Sequence, residues 1–342
     1  MSDPARPDPD LAAHRPPDLG TPLIRFRPYR NADSPALAAL WNRGLPDRGV
    51  VRPISAHEWD AMITCRIDFD PRGLIVAEER GRVVGYAHAG FGPETEHDPP
   101  RRLDRQLGTV AMLVVAPDRD SEALRAGLMA EAEAYLRASG AKVLYAGGHG
   151  PLNPFYWGLY GGSEFAGVLE GHESFRKAAV EAGYRPVASA QLLEADLAAV
   201  EPRDPLAAVH RRQARLEVTE DACPSDWWEA VALGSTQIAR FRLLSKADDA
   251  ELARASTWDM AAFGRIDGRA RTGLYGVEVV HEHRRKGFGR FLVREILRHA
   301  RGQWSEVVSV LTGATNTPAL GLYRSCGFEP VDAATLYRRP GP

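Results

Sequence analysis

The chain has 342 residues, more than a single hydrophobic core ordinarily serves, which sets the expectation at two domains. It is 44% hydrophobic and 26% charged with a formal net charge of -2. That balance excludes the basic surplus a nucleic-acid partner requires, and no apolar run approaches the roughly 18 residues of a membrane span.

Residues 1–22 are rich in proline with no apolar periodicity, which predicts a disordered tail, and the missing apolar h-region sets a cytoplasmic location as the expectation. Leu23 to Arg27 reads as a short strand. Asp33-Ser34-Pro35 reads as an N-cap with an early proline, opening a helix with Leu37, Leu40 and Trp41. Gly73 to Glu78 and Val83 to Ala87 read as a hairpin, and Val110 to Val115, apolar on both faces, as a central strand. Leu124, Leu128, Met129, Ala132, Tyr135 and Leu136 mark one face of a helix that ends at Gly140. Val143 to Tyr145 reads as a strand and Phe175 to Ala182 as a helix before Gly183-Tyr184. Between them, Gly147 to Gly171 is an irregular stretch carrying Phe155, Tyr156, Trp157, Tyr160 and Phe165, and a stretch of this kind more often shapes a site or an interface than fills space.

A linker is expected at residues 201–205, and past it the order of elements returns. Ala214 to Val218 is strand-like, Pro224 to Trp228 opens a helix, and Ile238 to Leu243 with Ala253 to Phe263 read as a strand pair. Gly273 to Val280 reads as a buried strand, Gly287 to Ala300 as a helix and Val307 to Leu311 as a strand. Thr317 to Cys326 is a helix stopped by Gly327, with a last strand around Thr335 to Tyr337. The recurrence predicts an internal duplication, in which residues 23–200 and 206–342 each form a central mixed β-sheet flanked by helices, an α/β (α+β) fold. Cys65, Cys223 and Cys326 lie far apart without CxxC spacing, so neither a disulfide framework nor a metal site is expected.

The segment Val279-Val280-His281-Glu282-His283-Arg284-Arg285-Lys286-Gly287-Phe288-Gly289-Arg290 carries the chemistry. A buried strand ends, three basic residues turn the chain, and two glycines open a helix whose first amides are unpaired, an arrangement suited to an anion. Farther on stands Asn316-Thr317-Pro318-Ala319-Leu320-Gly321-Leu322-Tyr323-Arg324-Ser325-Cys326-Gly327-Phe328. Together the two segments resemble the GNAT superfamily of N-acetyltransferases. Arg284, Gly287 and Gly289 meet its acyl-CoA motif, and Asn316, Ala319, Leu322, Tyr323, Gly327 and Phe328 meet its later motif.

The resemblance implies an acyltransferase with acetyl-CoA as cosubstrate and no metal. It implies that Val279 and Val280 bond the pantetheine arm, and that the amides of Arg285, Lys286, Gly287, Phe288, Gly289 and Arg290 hold the diphosphate beside Arg284. Asn316 then binds the cofactor arm or orders the local backbone, and Tyr323 protonates the departing thiolate. A general base is needed as well, with Glu278, Asp259, Glu282 and His283 as candidates. In the first copy the corresponding positions hold Asp120, Ala123, Arg125, His172 and Ala179, which predicts weak or no CoA binding there and a supporting role for Gly147 to Gly171.

The tandem layout is similar to that of mycothiol synthase-like proteins, but no motif fixes that acceptor. The expected activity is acetyl transfer to an amine of a small molecule, by a monomer or homodimer with no nucleic-acid or membrane partner. The alternatives are acetylation of a protein or peptide, and a non-catalytic acyl-CoA sensor or scaffold.

Overall fold

The computed structural model describes residues 24–94, 102–148, 150, 152–153, 155–164, 167–200 and 206–340, without the Trp228 side chain. The expected tail, the linker at 201–205 and Phe165 lie outside the described residues. The first copy comprises β1 (Arg25–Pro28), α1 (Ser34–Gly44), α2 (Ala56–Trp59), β2 (Leu74–Glu79), β3 (Arg82–Pro93) and β4 (Leu103–Val115). It continues through α3 (Glu122–Ala138), β5 (Val143–Ala146), β6 (Val168–Leu169), α4 (Glu173–Glu181) and β7 (Arg185–Asp196). The second comprises α5 (Ala207–Gln213), β8 (Ala214–Thr219), α6 (Trp227–Leu233), β9 (Ile238–Ser245), β10 (Glu251–Asp259), β11 (Arg271–Val279), α7 (Phe288–Gly302), β12 (Val307–Gly313), α8 (Thr317–Ser325) and β13 (Glu329–Arg338).

The expected mixed α/β architecture in two copies is present, and the two sheets join into one. Its order is β1-β2-β3-β4-β5-β13-β7-β12-β11-β10-β9-β8, with β6 beside β13. The last strand of each copy is exchanged: β13 pairs with β5 of the first copy, β7 pairs with β12 of the second, and β7 and β13 pair with each other from Glu329↔Glu194 to Arg338↔Arg185.

Three apolar clusters follow from this layout. Helices α3 and α4 bury one face of the first copy. Helix α7 places Phe291, Leu292, Ile296 and Leu297, spaced at helical period, against Leu274, Val308 and Val310, with α8 beside it. The third cluster covers the opposite face and belongs to both copies, since Trp41, Trp59 and Tyr156 join Trp258, Met260 and Tyr275 in it.

Some sequence expectations need correction. Strand β7 and helix α5 were not anticipated. The strand expected to reach Phe263 stops at Asp259, whose carboxylate accepts the Ala261 N–H at 2.8 Å and starts a short 3-10 turn. The Asp33 side chain does not cap α1: it accepts from the Arg27 guanidinium at 2.7 and 2.8 Å and from Arg30 N–H, an internal use that a buried carboxylate requires. Among the described residues no helix is long and apolar enough to cross a membrane.

Candidate active site

Strands β11 and β12 pair in parallel only over Arg271–Leu274 and Val307–Val310. Beyond that β11 shifts register against β10 at Gly276, whose φ of +62° is left-handed, and the two strands part into a fork. Val280 donates its N–H to Leu252 O at 3.0 Å, so its amide belongs to β10 and is not free for a pantetheine arm. Strand alternation turns Val279 to the open edge, where Arg284 Nε donates to its carbonyl at 3.0 Å.

The turn after the fork has the backbone geometry of an anion cradle. Arg285 and Gly287 both have left-handed φ, +60° and +88°, and alternation of this kind directs successive N–H groups to one side. Gly287 is the N-cap residue of α7, and no side chain caps that helix, so its first amides stay available. Phe288 is buried and anchors the helix start to the core, while Arg285, Lys286 and Arg290 stand exposed around the opening. Gly289 lets α7 sit against the strand, since a Cβ there would lie 3.2 Å from Val279 Cγ2.

Helix α8 flanks the other side of the fork. Asn316 is its N-cap and accepts the Ala319 N–H at 3.3 Å, so of the two expected roles the structure displays the ordering of backbone. Tyr323 is buried at 5% exposure, with its ring 5.5 Å from Phe328. Burial raises the phenol well above its ordinary value and the charge of Glu164 raises it further, so this hydroxyl keeps its proton.

Glu164, a residue the sequence did not single out, belongs to the first copy. Its neighbour Ser163 is held across the junction: the Ser163 carbonyl accepts from Trp258 Nε1 of β10 at 2.9 Å and from Trp157 Nε1 at 3.1 Å. On its other flank, β6 pairs with Ala334 and Thr335 of β13. Ser163 and Val168–Leu169 are thereby tied to the second copy, and Glu164 is half-buried beside them, its carboxyl pushed up to about 7 by desolvation. The one trace in the sequence is that Glu164 is one of two carboxylates in the irregular Gly147 to Gly171 stretch, which does not by itself single it out.

The four carboxylate and imidazole candidates are placed elsewhere. Glu278 is exposed and paired with Arg254 at 2.6 Å, Asp259 caps the turn at Ala261, and Glu282 and His283 belong to the exposed turn ahead of the cradle. Tyr275, at the base of the fork, donates to Glu229 at 3.0 Å, and Arg240 holds Glu229 ionised, its carboxyl lowered to about 2. A cavity of about 320 Å³ opens beside the Glu164 loop, lined among others by Gly162, Leu192, Glu194, Ser309, Arg271 and Met260.

In the first copy the same elements are closed. Helix α3 is capped by Ser121 Oγ, which accepts the Leu124 N–H at 3.3 Å. Arg125 stands where the second copy has Gly289, and its guanidinium is locked between Asp120 at 2.5 Å and Glu181 at 2.5 Å. His172, the N-cap residue of α4 as Asn316 is of α8, is fully buried beside Tyr160 Oη at 3.1 Å, its ring facing the Leu113 carbonyl on β4. Desolvation lowers His172 to about 3, so it is neutral. Arg125→Ala is expected to leave acetyl-CoA affinity unchanged in calorimetry while costing about 1 kcal/mol of stability in denaturant unfolding, as partly exposed ion pairs do. A large loss of affinity would overturn this assignment of the first copy.

Comparisons with known proteins agree with this architecture. Residues 37–161 match the model of the Acetyltransferase (GNAT) family, and residues 254–337 match the model of FR47-like protein. The chain is 31% identical over 116 residues to mycothiol acetyltransferase of Thermobifida fusca (strain YX), a match covering 34% of this chain and 32% of that protein. It is 41% identical over 59 residues to human N-acetyltransferase 8, covering 17% of this chain and 26% of the relative. These matches therefore span about a third or less of the curated relatives.

Among solved structures, a tandem GNAT protein from the clavulanic acid biosynthesis pathway superposes over 93% of this chain and 99% of its own, with TM-score 0.61 and 17% identity. The glucosamine N-acetyltransferase region of a fungal multi-domain β-N-acetylglucosaminidase covers 94% of this chain and 38% of its own, with TM-score 0.66 and 15% identity. At these identities the likeness is one of fold. The chain belongs to the GNAT superfamily, with two copies of the domain in tandem.

Proposed function

We propose that the protein is an acetyl-CoA-dependent N-acetyltransferase for a small-molecule amine, with its chemistry in the second copy. The observation that carries this reading is the uncapped, doubly left-handed turn at Arg285 to Gly287 beside a strand fork, with a protonated Tyr323 whose phenol feels the charge of Glu164. Acetyl-CoA would place its diphosphate on the amides of the turn and its thioester in the fork, where Val279 offers the open strand edge.

In this reading Glu164, as carboxylate, takes the proton that the amine nitrogen sheds. The nitrogen then forms its bond to the thioester carbon, the C–S bond breaks, and Tyr323 gives its phenolic proton to the sulfur so that CoA departs as a thiol. The cavity of about 320 Å³ beside Gly162, in the loop that carries Glu164, has the size for a small acceptor.

Thiol release with a panel of small amines tests the proposal. Tyr323→Phe is expected to lower kcat by about 100-fold with the KM for acetyl-CoA unchanged, within the range of general-acid contributions. Binding of the cofactor with no turnover on any amine would favour a sensor.

A further inference from the structure

We propose that His210 is a positioning residue for the cofactor diphosphate: by holding the Lys286 carbonyl it turns the Gly287 N–H into the anion cradle. This assignment rests on the reading of the turn as an acyl-CoA site. His210 lies on α5, the first described element after the linker, and not on either motif segment. Its Nε2 is 3.1 Å from Lys286 O. A carbonyl can only accept, so Nε2 carries the proton and donates.

The ring has little freedom to do otherwise. It is buried at 6% exposure, stacked on Phe291 at 5.3 Å between centroids and 26° between planes, and edge-on to Phe288 at 5.4 Å. Both phenylalanines belong to α7, so imidazole and helix start move as one body. Nδ1 is buried with no partner, so the bond to Lys286 and the two aromatic contacts fix the ring.

The consequence for the cradle follows from the geometry of a trans peptide. The C=O of Lys286 and the N–H of Gly287 belong to one planar unit and point in opposite directions. With the carbonyl tied to His210 on the inner side, the amide must point outward, toward the opening ringed by Arg285, Lys286 and Arg290. Without that tie the unit is free to flip, and the carbonyl would then present a partial negative charge to an incoming anion. The left-handed φ at both Arg285 and Gly287 makes this flip more than a formal possibility, because such a turn is held in place by its surroundings.

The test compares His210→Phe, which keeps an aromatic ring in the stack but has no donor, with His210→Gln, which restores an N–H at similar reach. His210→Leu serves as a second donor-less variant, and thermal unfolding checks that each is folded. CoA binding is measured by calorimetry, and initial rates are measured with acetyl-CoA and with S-acetylpantetheine, which lacks the diphosphate. The expected result for the Phe and Leu variants is about a ten-fold rise in Kd for CoA and in KM for acetyl-CoA, the scale of one directed hydrogen bond to a charged group, with kcat unchanged. The KM for S-acetylpantetheine should not move, and the Gln variant should return to within about three-fold of the parent. Donor-less variants that are folded and bind CoA like the parent overturn the proposal, as do variants that lose CoA and S-acetylpantetheine equally. Failure of the unmodified protein to bind CoA would instead remove the acyl-CoA reading itself.

Discussion

Replacing Glu164 with glutamine is expected to lower kcat by about 100-fold or more while CoA still binds with parental affinity, since a positioned base contributes on this scale and the diphosphate cradle is untouched. The pH profile gives a sharper criterion. A carboxyl pushed up to about 7 becomes a base only as pH rises through that value, so kcat/KM of the parent should climb through about pH 7 and then level. The variant should lose that limb. A Gln variant that turns over like the parent would remove Glu164 from the mechanism.

Stability should move in the opposite direction. In the folded chain Glu164 holds its proton more tightly than its ordinary value of 4.5 allows, so between about 4.5 and 7 the folded state binds more protons than the unfolded one. Stability contributed by this group is therefore greatest below that window, falls as pH rises through it, and stays reduced above. Glutamine removes the dependence. After discounting for partial exposure, the variant should exceed the parent by about 1–2 kcal/mol above pH 7 and match it below pH 4, readable as a shift in Tm at each pH.

Gly287→Val is the second large effect, with loss of measurable CoA binding expected in calorimetry. Two causes act together. The backbone at 287 has φ +88°, which a β-branched residue adopts only under strain, and a Cβ at this position would stand 2.8 Å from His210 Nε2 and 2.9 Å from Cε1. The His210 ring is packed between two phenylalanines and cannot withdraw easily, so the turn itself must deform. Gly289→Ala should be far milder, because its added carbon would meet only side-chain methyl groups, Val279 Cγ2 at 3.2 Å and Leu322 Cδ2 at 3.5 Å. Retained affinity in the Val variant would mean that the diphosphate does not sit on these amides.

The parts of the site that were legible in the sequence are those written in local chemistry. The uncapped helix start, its glycines and the Tyr323 helix follow from short-range spacing, and the first copy's loss of the same features could be read position by position. Glu164 could not be found in this way. Its charge acts on Tyr323 while Trp258 holds the neighbouring Ser163 carbonyl across the junction, a contact with no trace in periodicity. Strand β7 is illegible for a related reason: Arg185 to Ser189 pair with β13 on one edge and keep exposed side chains, so the usual apolar alternation is missing. His210 reads as an ordinary buried histidine until the Lys286 carbonyl is seen opposite it.

The crossing of β7 and β13 has a consequence for how this molecule can be divided. A protein cut at the boundary between its duplicated halves would leave β12 with a bare edge and take from β5 its neighbour, adding two adhesive edges to those at β1 and β8. Duplication here made one unit out of two repeats: under the proposed function, the half assigned the reaction takes both a neighbouring strand and a carboxylate from its sibling, and the sibling would be kept for that support rather than for coenzyme.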